Sequence, residues 1–289
     1  LLPPLQGREI KGVRSTISLL NCVVLLSSIE VMEESLVPAS ITSNLETRFI
    51  GQRVIYHPRL ASTMAVAKRE AQQGAAEGTI VVADEQIAGK GRMGRAWLSP
   101  RGSLALSIIL YPSLAHLPYL IMLASLAVVH SIEAITDLKL QIKWPNDVLI
   151  NGKKVCGILI ENSIRGDTVD YAVIGIGVNV NLELANFPDI SLTATSLSNE
   201  LGRGVSCLSL IRQLLAETEK LYLTLPAGES IYREWRDSLV TLGQQVRVRS
   251  GKITYRGTAE SVATDGSLLL RHPDGSLSRI VAGDVTLRG

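Results

Sequence analysis

The chain has 289 residues, of which 46% are hydrophobic and 19% charged, which suits about two folded domains and argues against disorder. A formal net charge of +2 with no long Lys/Arg block argues against nucleic acid as the main partner, so any anion has to be met locally. Cys22, Cys156 and Cys207 are odd in number and widely spaced, with no C-x-x-C and no clustered histidines, which points to a reducing compartment without cysteine-held zinc.

Residues 17–29 form an apolar run of 13, shorter than the roughly 20 needed to span a bilayer. With Lys11 and Arg14 before it and Ser27-Ser28 near its end, the run reads either as a signal peptide or as sequence upstream of a start at Met32. The second reading is favoured because everything downstream reads as cytosolic. Neither supplies a helix-turn-helix, so DNA binding lacks a reader.

Residues 54–57 are a short strand candidate. Ser62 or Thr63 then opens a helix that stops at Gly74, and these hydroxyls either cap the helix or face a ligand together with its free amides. The apolar run 79–83 reads as a strand delivering Gln86 and the loop Gly89-Lys90-Gly91-Arg92-Met93-Gly94-Arg95-Ala96-Trp97, which packs three glycines and three cations into seven residues. Glycine lets backbone approach a ligand closely and Lys and Arg supply charge, so the loop reads as an anion site, with a solvated basic hairpin as the bland alternative. Gly89, Gly91 and Gly94 mimic a dinucleotide fingerprint. That fingerprint must open a helix, whereas this loop runs on through turn residues into the strand 104–110.

A long apolar helix is expected over 117–135, then a strand over 140–150 interrupted by Pro145, which marks an edge, bulge or turn. Asn151-Gly152 is a hairpin signal that returns the chain into the strand 155–161, where Cys156 reads as a small core residue. A strand over 171–181 carries Gly175 and Gly177, small residues where something approaches the backbone. Helices follow at about 207–223 and 229–239. From Gly243 the chain shows only short β runs with turns at Asp265-Gly266 and Asp274-Gly275. The expected division is an N-terminal segment 1–47, a larger mixed domain of helices and strands at 48–240 and a small β-domain at 241–289.

Two stretches taken together, the glycine loop and Lys143-Trp144-Pro145-Asn146-Asp147, make the chain resemble the biotin protein ligases from about Arg53 to the C-terminus. The resemblance also covers Ser62-Thr63, Gln86, Gly152 to Glu161 and Gly175 to Asn179. It implies an α+β fold, with a mixed central sheet flanked by helices and then a small SH3-like β-barrel. The form implied lacks an N-terminal DNA-binding domain. It also implies a cytoplasmic, ATP-dependent ligase that makes biotinyl-5'-AMP and passes biotin to a lysine of a biotin carboxyl carrier protein domain of a carboxylase. Mg²⁺ accompanies ATP, and homodimerisation through a sheet edge is common in the family. A lipoate or octanoate ligase or transferase of the same fold, and a non-catalytic biotin-sensing regulator, are the alternatives.

By the same resemblance Lys143 and Arg92 are the catalytic cations. Ser62, Thr63, Met64, Gln86, Lys90, Gly91, Arg92 and Lys143 hold biotin. Lys90, Arg92, Arg95, Trp97, Lys143 and Asn179 hold the nucleotide, and no residue is expected to cage a metal. Lys143 has physical support of its own, because a lysine between Ile142 and Trp144 in an apolar strand is costly unless an anion meets it. Trp144 reads as packing and Asp147 as pinning the turn after Pro145. Two departures from the family pattern are Lys90, which offers no planar fork where Arg is usual, and Met64, which stands where Asn is common. The loop's glycines make it a lid that orders when its cations close on an acyl-adenylate.

Overall fold

The computed structural model describes residues 35–287. The run 17–29, the start at Met32 and the question of a DNA-reading element lie outside the described residues.

Seven strands form a mixed sheet in the order β1-β2-β3-β7-β6-β5-β4. They are β1 (Val54–His57), β2 (Ile80–Ala83), β3 (Ser103–Leu110), β4 (Gln141–Lys143), β5 (Asp147–Ile150), β6 (Lys153–Arg165) and β7 (Thr168–Asn179). Only β1 and β2 are parallel, as they must be when a helix, α1 (Thr63–Gln72), crosses between them; the other pairs are antiparallel. Every residue of β2 and β3 is buried, because both faces of the sheet are covered. On one face α1 lays Met64, Ala67 and Ala71 against Val81, Ile109 and Val173. On the other, α2 (Tyr119–Ile135) and α3 (Cys207–Leu223) pack against Ile80, Leu106, Ile108 and Ile174. The amphipathic stripe Leu210, Ile211, Leu214, Leu215 of α3 is buried throughout, as its helical spacing requires.

The stretch expected as one interrupted strand is two strands. β4 and β5 are antiparallel neighbours, with Lys143 opposite Asp147, joined through a cis Trp144-Pro145 peptide. β4 is therefore an edge strand by sheet order, and the chain covers that edge. Ile142 N–H donates to Ser238 O at 3.1 Å and Val240 N–H to Ile142 O at 2.9 Å. Asn151 and Gly152 take φ of 51° and 77°, the left-handed pair that a two-residue hairpin needs.

After α4 (Glu229–Asp237) comes an antiparallel five-stranded sheet in the order β11-β10-β9-β8-β12. It consists of β8 (Gln245–Ser250), β9 (Ile253–Val262), β10 (Leu268–Arg271), β11 (Leu277–Ile280) and β12 (Asp284–Leu287), the last of which was not read from the sequence. One contiguous apolar core runs from α2 and the large sheet into Val246, Val248, Leu268 and Leu270 of this smaller sheet. Trp144 is the joint. Its ring is 1% exposed, its backbone N–H donates to Thr241 Oγ1 at 2.9 Å, and its indole N–H donates to Gly266 O at 2.8 Å. The packing reading of Trp144 holds, and it reaches across both sheets. A buried carboxylate secures the entry to β1. Buried Glu219 of α3 accepts from the backbone N–H groups of Arg48, Phe49 and Ile50 at 2.6, 2.9 and 2.9 Å.

Trp144→Phe keeps a ring in the joint but strands the Gly266 carbonyl, at a cost of about 1–3 kcal/mol. Trp144→Ala also opens a cavity, at about 3–5 kcal/mol. Chemical denaturation of both variants beside the wild type checks the order; equal stability of all three would contradict the joint.

Candidate active site

The site is built where α1 begins, between the glycine loop, the N-terminal half of β6 and the C-terminal half of β7. Ser62 stands at the N-cap position yet makes no cap bond, and its buried hydroxyl has no partner. The cap is supplied instead by Gln86, whose Oε1 accepts from Thr63 N–H at 2.8 Å and Thr63 Oγ1 at 3.1 Å. Thr63 Oγ1 in turn accepts from Ser107 at 2.9 Å. Of the two readings of Ser62, the structure removes capping and leaves a polar group turned toward a cavity.

The glycine loop forms a small lobe. Trp97 N–H donates to Gly89 O and Gly91 N–H to Arg95 O, both at 2.8 Å, and Lys90 lies opposite Ala96. Its tip is a three-residue 3-10 turn, Arg92–Gly94, with Met93 and Gly94 at φ 56° and 75°. No helix follows, so the geometry of a dinucleotide loop is absent. The lobe is fastened at two points. Arg92 Nη1 donates to Asn146 Oδ1 at 3.0 Å, and Arg95 pairs with Asp284 of β12.

Trp97 lies against β6 and β7 at two glycines. A Cβ on Gly177 would sit 2.3 Å from its indole nitrogen, and one on Gly157 2.9 Å from its ring, so only glycine fits at either place. The small residues read at 175–177 are thus spaces for side chains of this chain. Gly177 accommodates Trp97, and Gly175 accommodates Met64, whose sulfur would lie 2.6 Å from a Cβ there. The Trp97 indole N–H is buried without a partner.

Two cavities meet at this ring. The first is narrow, about 50 Å³, and is lined by Ser62, Thr63, Met64, Gln86, Lys90, Gly91 and Arg92 with Leu159, Gly175 and Ile176 beneath. Every residue expected for biotin except Lys143 is there. The second is a wide groove of about 940 Å³, which takes in Lys143, Arg95, Asn179 and the segment 186–194. Gln86, Trp97 and Lys154 line both. Asn179 differs from expectation in one respect, since its amide nitrogen is committed to Thr195 O at 2.9 Å and anchors that segment.

Lys154 is the residue that sequence reasoning missed. Its Nζ sits 2.6 Å from Asp147 Oδ1 and 5.2 Å from the centre of the Trp97 ring, a salt bridge and a cation–π contact at the junction of both cavities. Asp147 does more than pin a turn, because it holds this ammonium. A bulge between Val148 and Leu149 in the β5–β6 pairing leaves both Val155 and Cys156 buried, so strand alternation does not reveal which face Lys154 takes. The available signal was its place two residues beyond Asn151-Gly152 within the resembling stretch. Burial pulls both the Lys143 ammonium and the Arg92 guanidinium below their ordinary pKa values, opposed in each case by Asp147. Lys90, Arg92, Lys143 and Lys154 line the two cavities with Asp147 while Arg95 is held by Asp284, a cationic excess that suits an anion.

Among the described residues no group of three or more His, Cys, Asp and Glu side chains is placed to hold a metal, and no helix is long and apolar enough to cross a membrane. His130 sits on the helical side between Glu217 and Glu234 at 3.4 and 2.6 Å.

With this geometry in view, residues 56–179 match the biotin/lipoate A/B protein ligase family and residues 241–288 the biotin protein ligase C-terminal domain. The bifunctional ligase/repressor BirA of Bacillus subtilis is 39% identical over 255 residues, covering 86% of this chain and 78% of that protein. The chain belongs to the biotin protein ligase family. It is also 35% identical to the biotin–acetyl-CoA-carboxylase ligase of Paracoccus denitrificans, over 68% of this chain and 85% of that one. Among solved structures, the biotin protein ligase from Aquifex aeolicus in complex with biotin and ATP superposes with a TM-score of 0.68 at 28% identity, covering 82% of this chain and 99% of that one.

Gly177→Ala puts a methyl group where the Trp97 ring lies and has to displace it. The expected result is a folded protein with a changed tryptophan emission spectrum and at least tenfold weaker binding of biotin and ATP by calorimetry. Unchanged binding would mean that the Trp97 seat does not shape the two cavities.

Proposed function

We propose that this protein is a biotin protein ligase that activates biotin with ATP and transfers it to a lysine of a carboxyl carrier protein domain. The observation that carries the reading is the pair of cavities meeting at Trp97 and Lys154, one narrow and one wide, each lined by polar and apolar side chains, with cations along the seam. A bicyclic acid and a nucleotide joined through one acyl-phosphate bond have that shape.

In the first step a biotin carboxylate oxygen attacks the α-phosphorus of ATP. An O–P bond forms, the bond to the β-phosphate breaks, and pyrophosphate leaves. In the second, a lysine amine attacks the acyl carbon, a C–N bond forms, and AMP leaves with the electron pair of the broken C–O bond. Negative charge gathers on phosphoryl and acyl oxygens in both, and fixed cations in a water-poor site stabilise it. Ser62, Thr63 and Gln86 meet the ureido end of biotin, and Met64 with Leu159 packs against its rings. Lys90, Gly91, Arg92 and Lys154 receive the carboxyl. Arg95, Trp97, Lys143 and Asn179 line the adenylate side. Lys154 touches both cavities whereas Lys143 lines only the wider one, so the chief role at the carboxyl passes to Lys154 and Lys143 serves the phosphates.

Mg²⁺ suits this donor set as an ion carried on the nucleotide. Single carboxylates, Asp147 and Asp189, reach the groove rather than a cage, and a hard ion that keeps its waters binds in that way. It supplies neutralisation of phosphate charge when bound. We further place the working division between residues 48–240 and 241–289, and a cytoplasmic setting accords with three widely spaced cysteines and no C-x-x-C in the sequence.

The test supplies the full chain with biotin, MgATP and an apo carrier domain, with lipoate and octanoate as competing acids. Biotin should label one carrier lysine, and labelling by lipoate alone, or by no acid, would refute the reading. Lys154→Ala should depress biotin-dependent pyrophosphate–ATP exchange by at least a hundredfold, about 2.7 kcal/mol or more of lost transition-state stabilisation. Lys143→Ala should chiefly raise the KM for ATP. The reverse pattern would restore Lys143 to the carboxyl.

A further inference from the structure

The second half-reaction sets a problem of access. When the acceptor lysine arrives, the acid fills the narrow cavity and the nucleotide fills the wide groove, so the amine needs a third approach to the acyl carbon. A third cavity of about 190 Å³ lies between the large sheet and the C-terminal sheet. It shares Arg92, Asn146, Ile158 and Leu159 with the narrow cavity and none of its lining with the wide groove. The partition between the two is the contact of Arg92 with Asn146 at 3.0 Å. Asn146 is fixed, because its amide nitrogen is spent on Ile158 O at 2.8 Å. Arg92 is the movable half, since it sits on a short turn between Gly91 and Gly94.

The remaining walls are Ile121, Pro145, Ile160 and Val281, with Asp265 on the C-terminal side. The Asp265 carboxylate is held in place by Arg279 at 2.6 Å and by Ser267 N–H and hydroxyl at 3.0 and 2.8 Å. The Asp265 carboxylate offers a polar acceptor on the C-terminal side, while the apolar walls penalise charge and favour the neutral amine. The neutral amine is the nucleophile this step requires.

We propose that this cavity is the passage through which the acceptor lysine of the carrier domain reaches the activated acyl group, and that the Arg92–Asn146 contact is its inner gate. The proposal rests on the ligase reading above. Formation of the adenylate draws Arg92 toward the new phosphoryl charge and away from Asn146, which opens the gate only after activation. The lysine Nζ lone pair then forms the C–N bond, the acyl C–O bond breaks with its electrons passing to the AMP phosphate, and the nitrogen releases one proton to water.

Val281 is 75% exposed and outside the activation machinery, so it can be enlarged without disturbing the core. With the full chain, apo carrier domain, biotin and MgATP, Val281→Trp should keep biotin-dependent pyrophosphate–ATP exchange within twofold of wild type. Transfer to the carrier should fall at least tenfold in kcat/KM, and hydroxylamine, small enough to pass a narrowed channel, should still discharge the adenylate at the wild-type rate. Val281→Lys sets a like charge at the mouth and should raise the KM for the carrier, with partial relief by salt. Undiminished transfer in both variants would overturn the proposal, as would exchange and transfer falling together, which would assign the cavity to activation. A wild-type protein that exchanges no pyrophosphate with biotin present would sink the ligase reading and this proposal with it.

Discussion

The indole of Trp97 lying on Gly157 and Gly177 is the contact on which the site depends. It brings the glycine loop down onto β6 and β7, divides the space beneath into a narrow and a wide cavity, and leaves Lys154 against its face at the junction. A side chain at either glycine would lift the ring and merge the two cavities. The loop is otherwise tied by its own hairpin bonds and by Arg92 and Arg95. Glycines thus serve in two senses, at the left-handed turn residue Gly94 of the loop and, elsewhere in the chain, as the seat at Gly157 and Gly177.

The other organising contact is Trp144. A turn that carries Lys143 on one side and Asn146 and Asp147 on the other is locked to Thr241 and Gly266, and hence to the C-terminal sheet. Asn146 meets Arg92 of the loop, Asp147 meets Lys154, and Arg95 meets Asp284 of β12. The motif, the loop and the C-terminal sheet therefore form one connected polar network around the cavities. A shift of the smaller sheet is felt at the cations, which is a physical reason for the smaller sheet to stay with the larger one.

Much of the fold was legible because its elements are strongly periodic or sharply punctuated. The α3 stripe, the largely apolar β3, the Asn151-Gly152 hairpin and the absence of a helix after the glycine loop all carry local signals, and each stands in the structure as read. The stretch 140–150 was harder. Pro145 signalled an interruption, but whether the chain bent or reversed depended on which strands stood on either side. β12 escaped notice because its four residues, Asp284–Leu287, are too few to show an alternating pattern and open on an aspartate, a residue depleted in strands.

The sequence by itself determined the inventory of the site: a glycine-rich cationic loop, hydroxyls and an amide at a helix start, the Lys143 to Asp147 motif, and small residues in the strand before Asn179. These are properties of residue type and short spacing, and they suffice to point to a biotin-ligase type of site. Tertiary structure decided the division of labour among them. It turned Ser62 from a cap into an unpartnered hydroxyl, put Lys143 in the wide groove, and raised Lys154 to the junction. The physical reason is that a β-bulge resets the face of a strand and sheet order sets its neighbours. Neither is encoded within a few residues of the side chain it repositions.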